Sequence, residues 1–479
     1  MQSGALDDAG IGGQEIIGLT ADSRKAAPGF LFAALQGASA DGRRYIADAV
    51  ARGAVAVLAA EGTRLDAGLN VPLFTHANPR LQYAKIAARF HAPQPRMVAA
   101  VTGTNGKSST AEFVRQIWAA TDRPAATLGT LGLVAPGHVR AGGLTTPDPA
   151  DLHADLQALA REGVQHVAIE ASSHGLDQYR LDGLMVSAAA FTNLTRDHLD
   201  YHGTMERYFD AKARLFAELL VPGGAAVINL DDPYGAEMVA RANKRGATLY
   251  TYGREGRELC LLEARALPHG QELKLDILGH QIETRLPLIG EFQTLNVLAA
   301  LGLALGTGIA VTDAVPVLAT LKGARGRMEL AATLPNGASI FVDYAHTPDA
   351  LERVLLAMRP HTDNRLVVVF GCGGDRDRGK RPQMGALAVR LADAAIVTDD
   401  NPRTEDAAQI RREVVAGATG AREIADREAA IFTAVSELKA GDILVIAGKG
   451  HEQGQIVGKD VLPFDDLDVA RRAAKEAHS

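Results

Sequence analysis

Residues 98–110, VAAVTGTNGKSST, leave the chain few options. Residues 98–101 are a short apolar run of the kind that fills a buried strand. The run passes into Gly103, Thr104, Asn105, Gly106, Lys107 and Ser108. Residues 109–118 then carry helical spacing, with Phe113, Val114, Ile117 and Trp118 on one side. Strand, glycine turn, Lys-Ser and helix make a phosphate cradle. Glycines let backbone N–H groups approach phosphate oxygens, and the helix N-terminus favours negative charge. Lys107 reaches the outer phosphates, and a hydroxyl can ligate Mg2+. The usual GxxxxGK[ST] spacing wants glycine where Val101 stands, so this loop is a shorter variant.

A chain of 479 residues suggests about three domains. Net charge of −7 gives no support for a nucleic-acid surface. Cys260 and Cys372 lie far apart, so no disulfide framework is expected and a reducing cytoplasm fits. No run approaches the ~18 apolar residues of a membrane span. A basic region followed by an apolar one is missing at the start, so no secretory signal is expected.

Residues 1–94 read as a small α/β unit, with strands at 29–35 and 54–58 and a short helix between them. Its polar turns, Asp22-Ser23-Arg24 and residues 39–44, suit a phosphorylated or sugar ligand but are equally ordinary turns. Pro93 and Pro95 mark a linker.

Residues 95–326 continue with Thr145, Thr146, Pro147 and Asp148 before a leucine-spaced helix. Strand 164–169 ends at Glu170 and is followed by Ser172, Ser173 and His174, then Gln178 and Arg180. Strand 186–192 leads to Asp197 and His198. In an open parallel sheet, ligands bind beyond the carboxyl ends of strands. The phosphate loop, Glu170 and His198 all follow strands, and a carboxylate and an imidazole beside a triphosphate suit Mg2+. His198 and His202 are four apart, but neither HExxH nor CxxC accompanies them, so zinc is not expected. Residues 205–220 are helical in pattern, and Lys212 falls in the inward stripe between Phe209 and Phe216. Two readings stay open for it. One is a lysine that snorkels to the surface. The other is a desolvated neutral amine able to form a metal-binding carbamate with CO2. Residues 247–289 alternate like antiparallel strands. Asn296 is a single amide on an apolar helix, available to a base edge.

Residues 327–479 read as a second parallel α/β domain, with strands at 339–342, 366–370, 394–398 and 443–447. Arg376, Asp400, Arg403 and Glu452 follow these strands, a mixture that suits a zwitterion. Gly-Cys-Gly-Gly at 371–374 is no full GxGxxG.

The whole chain resembles the Mur ligase family. The resemblance rests on GTNGKSS at 103–109, TTPD at 145–148, EASSHGLDQYR at 170–180, NLTRDHLDYHGTMERY at 193–208 and GRME at 326–329. It extends through DYAHTP at 343–348, GCGGDRDRGKRP at 371–382, DDNPR at 399–403 and GKGHE at 448–452. It is closest to the diaminopimelate-adding branch. The resemblance implies an α/β protein of three domains. A small UDP-binding domain comes first, then a central phosphate-loop domain with a parallel sheet, then a Rossmann-like amino-acid-binding domain.

It implies an ATP-dependent amide ligase of peptidoglycan precursor synthesis, cytoplasmic and monomeric. The ligase would join meso-diaminopimelate to UDP-N-acetylmuramoyl-L-alanyl-D-glutamate through an acyl phosphate. By resemblance, ATP is held by Gly103, Thr104, Asn105, Gly106, Lys107, Ser108, Ser109, Asn296, Arg327, Asp343 and His346. Ser108, Glu170, His198 and a carbamylated Lys212 hold Mg2+, and Lys107, Lys212 and His198 are the catalytic group. Ser23, Thr145, Thr146, Ser172, Gln178 and Arg180 contact the UDP-sugar peptide. Arg376, Asp400, Asn401, Pro402, Arg403, Gly448 and Glu452 form the diaminopimelate pocket. Residues 37–40 lack a His-Gln pair that some relatives carry. A lysine-adding sister ligase and a folylpolyglutamate synthase are the enzymatic alternatives, and a non-catalytic nucleotide-binding regulator is the alternative of another class. Arg403 argues for diaminopimelate, because lysine would leave that guanidinium without its carboxylate.

Overall fold

The computed structural model describes residues 15–37 and 40–477. Ala38 and Ser39, part of one turn expected to face a ligand, lie outside the described residues. The chain forms two compact units. One takes the residues up to Thr251 with Gly302–Ile309; the other takes Tyr252–Leu301 and the residues from Ala310 onward.

The first unit carries a four-stranded parallel sheet, Gly18–Thr20, Phe30–Ala34, Ala54–Ala60 and Leu73–His76, paired in chain order. Its larger sheet is centred on Met97–Thr102. That strand lies parallel between Val186–Phe191 and His166–Glu170, with Leu220–Asn229 and Ala125–Gly129 outside them. The antiparallel strands Gly132–Ala135 and His138–Arg140 close that edge. The central strand is buried on both faces, which is why residues 98–101 read as an unbroken apolar run. Helix Lys107–Ala120 buries Phe113, Val114, Ile117 and Trp118, the four residues its spacing singled out. The Trp118 indole N–H donates to Thr307 Oγ1 at 2.9 Å, so a fully buried donor is satisfied.

In the second unit, Leu259–Leu267, Gly270–Ile277 and His280–Leu286 form the antiparallel hairpins that the alternation at 247–289 predicts. A six-stranded sheet follows, ordered Glu329–Thr333, Ser339–Asp343, Ile443–Ala447, Leu366–Phe370, Ala394–Val397 and Arg422–Glu423. All its pairs are parallel except the first. Val368 and Phe370 face one apolar cluster, whereas Val367 and Val369 face the other. Helices therefore cover both faces, and the period of two is masked because both faces are apolar. A two-stranded hairpin, Gly454–Val457 with Asp460–Pro463, stands apart.

Under this sheet's carboxyl ends lies an ion pair with no exposure on either side. Arg427 Nε and Nη2 each donate to the Asp466 carboxylate at 2.7 Å, and Nη2 also donates to the Ala447 carbonyl at 3.0 Å. Removing one partner strands a buried charge. Arg427→Met is expected to lower the unfolding free energy by about 3–5 kcal/mol. Asp466→Asn, which keeps hydrogen-bonding capacity, is expected to cost less. Urea denaturation of the two variants checks the order.

Candidate active site

The central strand ends at Thr102, and the chain turns at Gly103 with φ near +149°. A Cβ there would meet Thr192 Oγ1 at 1.8 Å, so no side chain fits. The following loop is clamped from the next strand's end. Asn193 Oδ1 accepts from the Asn105 N–H at 2.9 Å, Asn193 O accepts from the Thr104 N–H at 2.9 Å, and Thr192 Oγ1 donates to Asn105 O at 2.6 Å. Thr104 Oγ1 sits 3.1 Å from the Tyr208 hydroxyl, and burial pushes that phenol up to about 12. Gly106, left-handed at φ 87°, opens the helix, and Ser108 and Ser109 are buried in its first turn.

Two amines converge on one carbonyl. Lys107 Nζ donates to Gly103 O at 3.0 Å and to Thr104 O at 2.9 Å, and Lys212 Nζ donates to Gly103 O at 2.9 Å. Lys212 is 1% exposed, so it does not snorkel. Burial drives its amine well below the ordinary lysine range, and the charge on Lys107 pushes the same way. Its ammonium position lies 4.4 Å from the Tyr208 ring centre. The helical stripe is observed, with Phe209 and Phe216 also buried. Regular helix ends at Arg214, however, and residues 215–219 form a π turn rather than continuing it.

Glu170 is the last residue of its strand. Its Oε1 accepts from Ser108 Oγ at 2.8 Å and from the Thr130 N–H at 2.9 Å, and Oε2 accepts from Thr130 Oγ1 at 3.1 Å. Thr130 Oγ1 in turn lies 3.0 Å from Thr145 Oγ1. A hydroxyl and a carboxylate at the foot of a phosphate loop are hard oxygen donors that suit Mg2+. His198 is placed differently. It makes a T-shaped contact with His174 at 4.8 Å, and its Nε2 lies 3.4 Å from Asp197. No group of three or more His, Cys, Asp or Glu side chains able to hold a metal occurs among the described residues. Ser108 and Glu170 are thus joined by a hydrogen bond, while the contacts described for His198 are to His174, Tyr208 and Asp197.

Thr146, Ser172, Gln178 and Arg180 form one network. Thr146 Oγ1 donates to Glu170 O at 2.7 Å and lies 3.0 Å from Ser172 Oγ. Arg180 donates to Thr146 O at 2.8 Å and to Gln178 Oε1 at 2.7 Å, which aligns four of the expected sugar-peptide contacts. A separate cavity of about 850 Å3 in this unit is bordered by Thr20, Asp22, Lys25, Phe30, Arg140 and Asp148, among others. Ser23 is absent from its lining, although its neighbour Asp22 is there. Sequence reading did not single out Lys25, Phe30 or Arg140, two cations and an aromatic ring that border this cavity.

In the second unit, Asp343 accepts from the N–H groups of Met328 and Ala345, both at 2.8 Å. Burial raises its carboxyl pKa, and Arg327 opposes the shift. The Arg327 guanidinium covers the Tyr344 ring at 4.5 Å, and its buried Nε has no hydrogen-bond partner. His346 Nδ1 lies 2.8 Å from Tyr344 O. The His451 ring lies 5.0 Å from that of Tyr344 in a tilted contact, and burial followed by the charge on Arg327 lowers its pKa to about 4. Asn296, buried, donates to Gln293 Oε1 at 3.0 Å. Arg327, Asp343 and His346 are therefore gathered around Tyr344, and the orphaned Nε is a donor awaiting an acceptor.

Several residues expected to hold the amine donor contact one another. Asn401 Nδ2 donates to Glu452 Oε2 at 2.8 Å. Arg403, in a left-handed conformation at φ 52°, donates through Nη1 to Gly374 O at 2.8 Å. A Cβ on Gly374 would meet Pro402 O at 1.9 Å, so Gly-Cys-Gly-Gly serves backbone-to-backbone packing against the 399–403 loop. The Gly448 N–H donates to Asp343 O at 3.1 Å, and Gly448 abuts the Asp400 carboxylate. Arg376 is exposed and bonds only its neighbour's carbonyl, Asp375 O, at 3.0 Å in the bonds described. Lys449, which the sequence reading passed over, lies buried beneath Asn401 and Glu452.

Three family models cover the chain: the Mur ligase family, catalytic domain at residues 15–101, the Mur ligase middle domain at 101–304, and the Mur ligase, glutamate ligase domain at 326–450. The chain belongs to the Mur ligase family. It has that family's three-domain α/β architecture. A UDP-N-acetylmuramoyl-L-alanyl-D-glutamate–2,6-diaminopimelate ligase of Agrobacterium fabrum is 54% identical over 97% of this chain and 94% of its own. The enzyme of the same name from Rhizobium meliloti is 53% identical over 96% and 94%. A solved structure of a ligase of that name superposes with a TM-score of 0.73 at 36% identity, covering 97% of this chain and 96% of its own. No helix among the described residues is long and apolar enough to cross a membrane.

Within this Mur ligase, the phosphate loop depends on Gly103. Gly103→Ala forces a side chain against Thr192 and strains the backbone, at an expected cost of about 1–3 kcal/mol. The thermal midpoint should fall, and ATP affinity should weaken by roughly tenfold or more. Isothermal titration with ATP, alongside a melt, checks both.

Proposed function

We infer that this protein is an ATP-dependent ligase that adds meso-diaminopimelate to UDP-N-acetylmuramoyl-L-alanyl-D-glutamate. The observation that carries the reading is the 54% identity, over 97% of the chain, to a ligase of that name. The side chains supply its chemistry. The D-glutamate γ-carboxylate attacks the γ-phosphorus of ATP, ADP leaves, and an acyl phosphate forms. The diaminopimelate amine then attacks the acyl carbon, phosphate leaves, and the amine's proton passes to solvent or a nearby base. Lys107 is positioned to exchange its two carbonyl acceptors for phosphate oxygens and to offset their growing charge. The N-terminus of Lys107–Ala120 and the loop N–H groups do the same without reorganising.

Ser108 and Glu170 would hold Mg2+, and His198 is proposed as a further ligand. Bound there, the ion would neutralise phosphate charge. Lys212 is buried and its amine is pushed towards the neutral form, the direction that carbamate formation needs, and the carbamate would be an anion beside the Lys107 cation. Asn296, Arg327, Asp343 and His346 would hold the nucleotide's other parts. Ser23, Thr145, Thr146, Ser172, Gln178 and Arg180 would hold the sugar peptide. Residues 1–94, 95–326 and 327–479 would divide UDP, ATP and amine-donor binding among them, in a cytoplasmic monomer.

Arg403 decides the amine donor. A guanidinium holds a carboxylate with two parallel bonds, and lysine has no second carboxylate to offer. Phosphate release measured with all three substrates should depend on meso-diaminopimelate and stay near background with lysine. Arg403→Ala should reduce kcat/KM for diaminopimelate by roughly 100-fold or more while leaving ATP affinity within about twofold. Preference for lysine in the parent protein would favour the sister ligase instead. Lys212→Ala should abolish turnover. Bicarbonate depletion at mildly acidic pH should lower the parent's rate, and added bicarbonate should restore it.

A further inference from the structure

Lys449 is a lysine with no exposed side-chain surface, set in a loop where sequence pattern gives no hint of burial. Its ammonium finds three acceptors: Gly454 O at 2.6 Å, Asn401 Oδ1 at 3.1 Å and Glu452 Oε2 at 3.3 Å. Three acceptors match the three N–H donors of an ammonium group. The consequences run outward through two side chains. Asn401 Oδ1 also accepts from the Ile456 N–H at 2.9 Å, so its oxygen is committed on the Lys449 side. Its Nδ2 must then face Glu452 Oε2, at 2.8 Å.

Glu452 is the residue left with something to offer. Its Oε2 receives both Asn401 and Lys449, and no hydrogen bond reaches its Oε1 among the described residues. The side chain remains 32% exposed. One oxygen is anchored from below and the other is free for a donor from above. The same loop carries Arg403, whose N–H donates to Ile456 O at 3.0 Å and whose carbonyl accepts from the Gly458 N–H at 2.7 Å. Gln455 Nε2 donates to Asp400 O at 2.7 Å. The strand Gly454–Val457 thus templates residues 400, 401 and 403, and Lys449 pins its first carbonyl.

We propose that Lys449 is a positioning residue that, together with Asn401, fixes Glu452 so that its remaining carboxylate oxygen reads the second amine of the amino-acid substrate. This rests on the ligase reading above and divides its specificity into two parts. Arg403 recognises the substrate's second carboxylate. Glu452, held by Lys449 and Asn401, recognises the ammonium on the same distal carbon. Removing the Lys449 charge frees the Asn401 amide to turn over, releases Gly454 O and leaves Glu452 unanchored, so recognition of the distal amine goes first.

The test compares meso-diaminopimelate with 2-aminopimelate, which keeps both carboxylates and the reacting amine but lacks the second amine. Phosphate release is followed for the full-length parent and for Lys449→Met, which keeps the buried stem and drops the charge. The parent should prefer diaminopimelate by roughly tenfold or more in kcat/KM. In Lys449→Met the KM for diaminopimelate should rise by about tenfold, the KM values for ATP and the sugar-peptide substrate should stay within about twofold, and the preference should shrink towards one. An equal loss for both amine donors would assign Lys449 a purely structural role and overturn the proposal, as would retention of the parent's preference. Circular dichroism and melting establish folding. If the methionine variant does not fold, Lys449→Gln, which keeps one donor for Asn401, is put through the same comparison, and failure of both to fold also counts against the proposal. A parent protein that releases no phosphate with diaminopimelate would instead remove the ligase reading itself.

Discussion

The Gly103 carbonyl, with two lysine amines donating to it, is the interaction on which the catalytic half depends. Two ammonium groups on one oxygen repel each other, and burial strips them of the water that would screen that repulsion. Two changes relieve the conflict. One is loss of a proton, the direction in which burial and the Lys107 charge push Lys212. The other is movement to an anion, and Lys107, at the mouth of a helix N-terminus, is the amine able to make it. The arrangement also explains why Gly103 has no room for a Cβ. The carbonyl faces both amines only because Thr192 and Asn193 hold the turn from the neighbouring strand.

A different use of buried charge supports the loops proposed to hold the amine donor. Arg381, with no side-chain exposure, joins Glu405 and Glu413 and reaches Gly373 O at 3.3 Å. Arg427 joins Asp466 and reaches Asp399 O at 3.3 Å and Ala447 O. Lys449 joins Asn401 and Glu452. Each cation binds an acid on one side and a backbone carbonyl of the pocket on the other. A hydrophobic substitute of equal volume would fill the space as well, and buried ion pairs are weak contributors to net stability. What the hydrophobic substitute lacks is direction. The loop residues 371–374 and 399–403 have no regular ladder to fix them, so these cations set which way their carbonyls and amides point.

Much of this was legible in the sequence where a local rule applied. The phosphate loop announced itself through spacing, the buried strands through apolar runs, and Lys212 through its place between Phe209 and Phe216. Glu170 was legible because a strand ended there. The clamp on the loop was not, because Thr192 and Asn193 act from a strand distant in sequence and mostly through backbone atoms. Lys25, Phe30 and Arg140 were missed for the same reason, since they meet only when separate segments border one cavity. His198 was legible only as a residue following a strand; its ring contact with His174 and its left-handed backbone were not.

Lys449 and Lys212 together show where sequence logic stops. Both are buried lysines, and neither residue name states its role. Lys212 sits on a helix, where period reveals the inward face, but its carbonyl acceptor and its cationic neighbour come from the distant phosphate loop and the helix that the loop opens. Lys449 sits between two glycines in a turn, where there is no period to read and where solvent exposure is the ordinary expectation. Its three acceptors, one a carboxylate, come from the 399–403 loop, from its own turn and from the strand that follows. Desolvation is common to both sites, and the supply of acceptors separates them. An amine with few acceptors has its charged form disfavoured, whereas one with a full set becomes a fixed point that holds its neighbours.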